Sequence, residues 1–100
     1  MRRDQYRGKR GQVSVEADSN AAVHMINVRP PLPDGDAHLI ATMLQQHFRT
    51  DIDTSTVPAA ENAQDDQGYT EFLVFKSRVT LEEMSATVTS RLVELGYTLV

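Results

Sequence analysis

Residues 68–79, GYTEFLVFKSRV, followed at once by Thr80-Leu81-Glu82-Glu83, decide how the rest of the chain is read. Gly68 leads into a run of aromatic and β-branched residues, which is strand composition. Thr80 and Glu83 then form a capping box, in which the hydroxyl accepts from a free N–H of the first helical turn and the carboxylate reaches back to the cap. A strong strand therefore hands directly to a helix. In that helix Leu81, Met84, Val88, Leu92 and Leu95 fall on one stripe, and Gly96 is placed to end it in the left-handed conformation. Tyr97 to Val100 reads as a last strand.

Working toward the N-terminus, residues 58–67 form an acidic, turn-rich loop, and Asp51 to Val57 is a threonine-rich segment suited to an edge strand. Asp34 or Asp36 is placed to cap a helix running to about Arg49, whose Ala37, Ile40, Ala41, Leu44 and Phe48 share a face. Before it, Ala22 to Val28 alternates as a strand, with Ala22, His24, Ile26 and Val28 on one side and Val23, Met25, Asn27 and Arg29 on the other. Pro30, Pro31 and Pro33 end it, since proline gives a sheet no donor. Gln12 to Glu16 reads as a short extra strand, joined to the next through the turn chemistry of Asp18, Ser19 and Asn20.

This order predicts an α+β chain with a ferredoxin-like βαββαβ sandwich, two helices on one face of an antiparallel sheet, plus the extra N-terminal strand and a basic arm. Segments 22–29 and 69–79, the most apolar, take its centre. In 69–79 the odd positions Tyr69, Leu73, Phe75 and Val79 are more apolar than Thr70, Phe72, Val74, Lys76 and Arg78, so the odd set is assigned to the helices. The face left open then carries Val23, Met25, Phe72 and Val74, with Arg29, Lys76 and Arg78 at its ends. Four large apolar side chains approach the few hundred Å² at which an exposed patch marks an interaction site.

A chain of 100 residues suits one domain with one core, divided here into a flexible basic arm, 1–11, and a folded domain, 12–100. The net charge of −4 hides a dipole. In residues 1–10, Arg2, Arg3, Arg7, Lys9 and Arg10 face Asp4 alone, giving +4, while five basic and thirteen acidic residues in the remainder give −8. Little apolar content in the arm implies mobility until a partner orders it. No long apolar run marks a membrane span, and the absence of cysteine fits a reducing compartment, so the expected location is cytoplasmic.

Motifs for chemistry are incomplete. His24, His38 and His47 form no HxxxH or HxH pair, so no metal site is assigned. Asp51-Ile52-Asp53 opens like a calcium loop but has Thr56 where glycine is needed and Asn62 where a bidentate glutamate belongs. Neither a phosphate-binding loop nor a nucleophile elbow is present, and Glu82 and Glu83 diverge by about 100° on their helix. No catalytic residue and no cofactor are assigned. Gly68 to Phe75 resembles the central-strand motif of RNA-recognition domains. It departs from that motif at Gln67, where a basic residue belongs, and by one extra residue that sends Tyr69 and Phe72 to opposite faces.

The sequence thus points away from an enzyme and toward a protein-protein interaction or assembly module. Its expected partner is a second copy on the open sheet face, or another protein, with the arm gripping an acidic surface. Nucleic-acid binding, through the arm and Phe72, Lys76 and Arg78, is the alternative, and a small-ligand or catalytic domain the third.

Overall fold

The computed structural model describes the backbone of residues 2–8, 11–59 and 67–99 and the side chains of 13–59 and 67–97. Along the chain run β1 (Arg2–Gly8), β2 (Gly11–Ser19), β3 (Val23–Arg29), α1 (Asp34–Phe48), β4 (Asp53–Val57), β5 (Tyr69–Phe75), α2 (Leu81–Glu94) and β6 (Thr98–Leu99). The strands form one sheet in the order β4-β5-β3-β2-β1-β6, every neighbouring pair antiparallel. The chain is a small α+β domain.

Register fixes which side of each strand is buried. Ile26 lies opposite Phe72 on one side and Ala17 on the other, and Val28 lies opposite Thr70 and Val15. Cross-strand partners share a face. His24, Ile26 and Val28, Thr70, Phe72 and Val74, and Val13, Val15 and Ala17 consequently form one buried surface. Ala37, Ile40, Ala41 and Leu44 of α1 and Met84, Val88 and Leu92 of α2 close over it as a single core. Both helices lie on that face.

This register corrects the assignment of β5. Phe72 is 0 % exposed and Val74 2 %, so both belong to the core rather than to the open face. The parity count misled because it ran to Val79, whereas the strand ends at Phe75 in a turn closed by the Arg78 N–H on the Phe75 carbonyl, 3.0 Å. Lys76, Arg78 and Val79 lie beyond the strand. Within Tyr69–Phe75 both parities are apolar, and pairing with β3 chooses between them.

Residues 2–8 were expected in a mobile arm. Their backbone instead forms β1, paired along its length with β2, from Arg2 opposite Ala17 to Gly8 opposite Gly11. Adding a strand satisfies a row of backbone donors and acceptors that an arm would leave to water. The hairpin changes the ferredoxin-like order as well, because β2 occupies the flank of β3 where the last strand of that sandwich would lie. Two inserted antiparallel strands preserve strand direction, so β6 still runs parallel to β5, but it pairs with β1 through Tyr6 opposite Leu99.

Local chemistry explains the ends of the elements. Asn20 Oδ1 accepts from the N–H groups of Ala22 and Val23, both at 2.8 Å, and folds β2 back onto β3. Helix α1 starts after Pro33 with no side-chain cap, so Asp34 and Asp36 lie inside the first turn, where carboxylates complement the helix dipole. In α2 the expected cap is present, with Thr80 Oγ1 accepting from the Glu83 N–H at 3.1 Å. Its far end is a Schellman turn: the Tyr97 N–H donates to Leu92 O and the Gly96 N–H to Val93 O, with Gly96 at φ +99°.

Candidate interaction face

The side of the sheet opposite the helices is built by the alternate residues of the same strands. Four rows cross β3 and β5. Val23 pairs with Phe75 at the end nearest the β2–β3 turn. The next row is Asp53, Leu73, Met25 and Asp18, each the register partner of its neighbour. Ser55, Glu71, Asn27 and Glu16 form the third, and Val57, Tyr69 and Arg29 lie at the far end.

The far end is internally satisfied. The Arg29 guanidinium sits over the Tyr69 ring, 4.2 Å from its centroid, and its Nε is 3.4 Å from Glu16. The near end is different. Val23, Met25 and Leu73 are half-buried, and Phe75 is 64 % exposed, with no described helix over them. Beside them a depression of about 170 Å³ is lined by Val23, Leu73, Val74 and Phe75 and by the carboxylate residues Asp51 and Asp53.

Among the described side chains, charge around the apolar corner is mostly negative. Asp18, Asp51 and Asp53 are exposed around the apolar corner, and Glu16 and Glu71 stand in the adjoining row. Lys76 is the one cation beside this corner among the described side chains, and its Nζ donates to the Asn20 carbonyl at 2.9 Å. Between Glu71 and Glu16, the Oδ1 of Asn27 is buried without a donor among the described residues.

Of the residues assigned to the face from sequence, Val23, Met25 and Arg29 are on it, Phe72 and Val74 are in the core, and Lys76 and Arg78 are exposed in the turn after β5. Arg2, Arg3 and Arg7 lie in β1, two strands away from β3, while Lys9 and Arg10 fall outside the described residues. Leu73, Phe75, Glu71, Asp53 and Tyr69 were missed. A parity count confined to seven residues would have weakened the wrong assignment, but only the partner strand supplies the right one. With Phe72 buried, the ring proposed for base stacking is not available to a nucleic acid.

Elsewhere several polar groups have structural partners. Ser19 Oγ and His24 Nδ1 are 2.7 Å apart and link β2 to β3. Thr70 Oγ1 accepts from the Leu32 N–H at 2.9 Å inside the core. His47 meets the Phe48 ring edge-on, and among the described residues no three histidines or acids gather to hold a metal. No described helix is long and apolar enough to cross a membrane. The chain matches no family model, no curated protein and no solved structure.

Proposed function

We propose that the chain is a non-enzymatic protein-interaction module that works through the open face of its sheet. One observation carries this reading: the stacked pairs Val23–Phe75 and Met25–Leu73 stand on a sheet face that no described helix covers, and Phe75 is 64 % exposed. Fully burying a phenylalanine is worth about 1.5–3 kcal/mol, so covering Phe75 alone recovers about 1–2 kcal/mol. Aromatic anchors beside half-buried aliphatic residues are the usual centre of a protein contact. The chain's own N-terminus is consistent with this reading, because β1 extends the sheet sideways beyond β2.

Photo-cross-linking tests it. A benzoylphenylalanine placed at position 75 in the source cells should give a discrete higher-mass protein adduct. The same group at Leu39 or Val93, which are 41 % and 56 % exposed on the helical side, should give none. An adduct from the helical positions and not from 75 would remove the sheet face from consideration.

A further inference from the structure

The row Asp53–Leu73–Met25–Asp18 has two apolar residues at its centre and a carboxylate at each end. That symmetry restricts what can cover it. A second copy packed face to face must be related by a two-fold axis lying in the interface. An axis along the strands sets Asp53 over Asp18 of the second copy, and an axis along the row sets Asp53 over its own equivalent. Either way carboxylate meets carboxylate across the apolar centre, and juxtaposed like charges oppose association. With the strands of the two copies aligned, a two-fold cover centred on this row is therefore self-repelling.

Resting on the interaction reading, we propose that the occupant is a segment of a different protein, extended and basic, with lysine or arginine at positions i and i+4 and a large apolar residue at i+2. The spacing comes from sheet geometry. Asp53 and Asp18 are three strand intervals apart, about 14 Å at about 4.8 Å per interval. Residues i, i+2 and i+4 of an extended chain point to one side and span about 13–14 Å, so a segment laid across the strands brings each cation to one carboxylate. Its central side chain rests on Leu73 and Met25. Asp51, lining the depression with Asp53, adds negative charge at one end of the row.

The test uses fluorescein-labelled nine-residue peptides titrated with the full chain by fluorescence anisotropy. One carries arginine, leucine and arginine at alternate positions among threonines; a second has glutamate for arginine; a third has the same composition as the first with its arginines adjacent. The first peptide is expected to bind best, and more weakly when salt rises from about 0.1 to about 1 M, over which the screening length falls from about 10 to about 3 Å. Asp18→Asn with Asp53→Asn should weaken it about tenfold. Asn at position 18 can still accept the bond that Asp18 Oδ1 receives from the Ser19 N–H, so the fold is kept. Asp18→Lys with Asp53→Lys should transfer preference to the glutamate peptide.

Equal binding of the first two peptides, or none, overturns the basic partner. A doubled mass by light scattering that returns to a single chain in Leu73→Ser identifies the occupant as a second copy; this overturns the proposal and leaves the interaction reading standing. Absence of peptide binding together with absence of an adduct from position 75 overturns both.

Discussion

Truncating Phe72 and Phe75 separately gives the sharpest test of the sheet's orientation, because the two are three residues apart in one strand and face opposite ways. Phe72 is 0 % exposed at the centre of the core, beside Ile26 and under the helices, and Phe75 is 64 % exposed. Phe72→Ala loses the transfer free energy of a whole ring and leaves a cavity, about 3–5 kcal/mol. Phe75 has only about a third of its surface buried, so its truncation forfeits about 0.5–1 kcal/mol. For a domain of this size about 1 kcal/mol moves the melting temperature by about 4–8 °C. Phe72→Ala should therefore lower it by at least about 12 °C and Phe75→Ala by only a few degrees. Thermal and urea melts followed by circular dichroism, at protein concentrations low enough to avoid association, measure both. Equal losses, or a larger loss at position 75, would refute the register argument and restore the opposite assignment of β5.

Two further substitutions probe the connections. Gly68 has φ +87°, and a Cβ built there would lie 2.1 Å from the Val57 carbonyl oxygen, whereas Gly96, at φ +99°, has nothing within 4 Å. Gly96→Ala should thus cost about 1–2 kcal/mol from left-handed strain alone, and Gly68→Ala clearly more; the same denaturant melts rank them, and the reverse order would exclude the close approach of β4 to β5. At the start of α2, Thr80→Ala removes the acceptor for the Glu83 N–H and should cost about 1 kcal/mol, while Thr80→Ser should be close to neutral, as thermal unfolding of the two variants can establish.

Much of this fold is legible in the sequence because the signals are local. The Thr80 cap, the Gly96 turn, the Asn20 turn and the 3.6-residue stripes of both helices each depend on residues a few positions apart, and each has the expected effect. Segment Asp53–Val57 is at the sheet edge, as its composition implies. Long-range pairing decided the rest. Thr70, Phe72 and Val74 compete with Tyr69, Leu73 and Phe75 for the core on nearly equal terms, and a period of two cannot choose between them. Only the alignment of Phe72 with Ile26 turns one set inward, and it carries the working surface of the molecule to the other side. Likewise no composition rule draws Arg2–Gly8 into the sheet, since the bonds holding that strand are backbone bonds to β2, indifferent to side-chain charge. The sequence by itself determined both helices, most of the strands and the ends of α2; the tertiary structure added β1, ended β5 at Phe75 and determined which faces meet, because a residue's side of a sheet is a property of its partner strand.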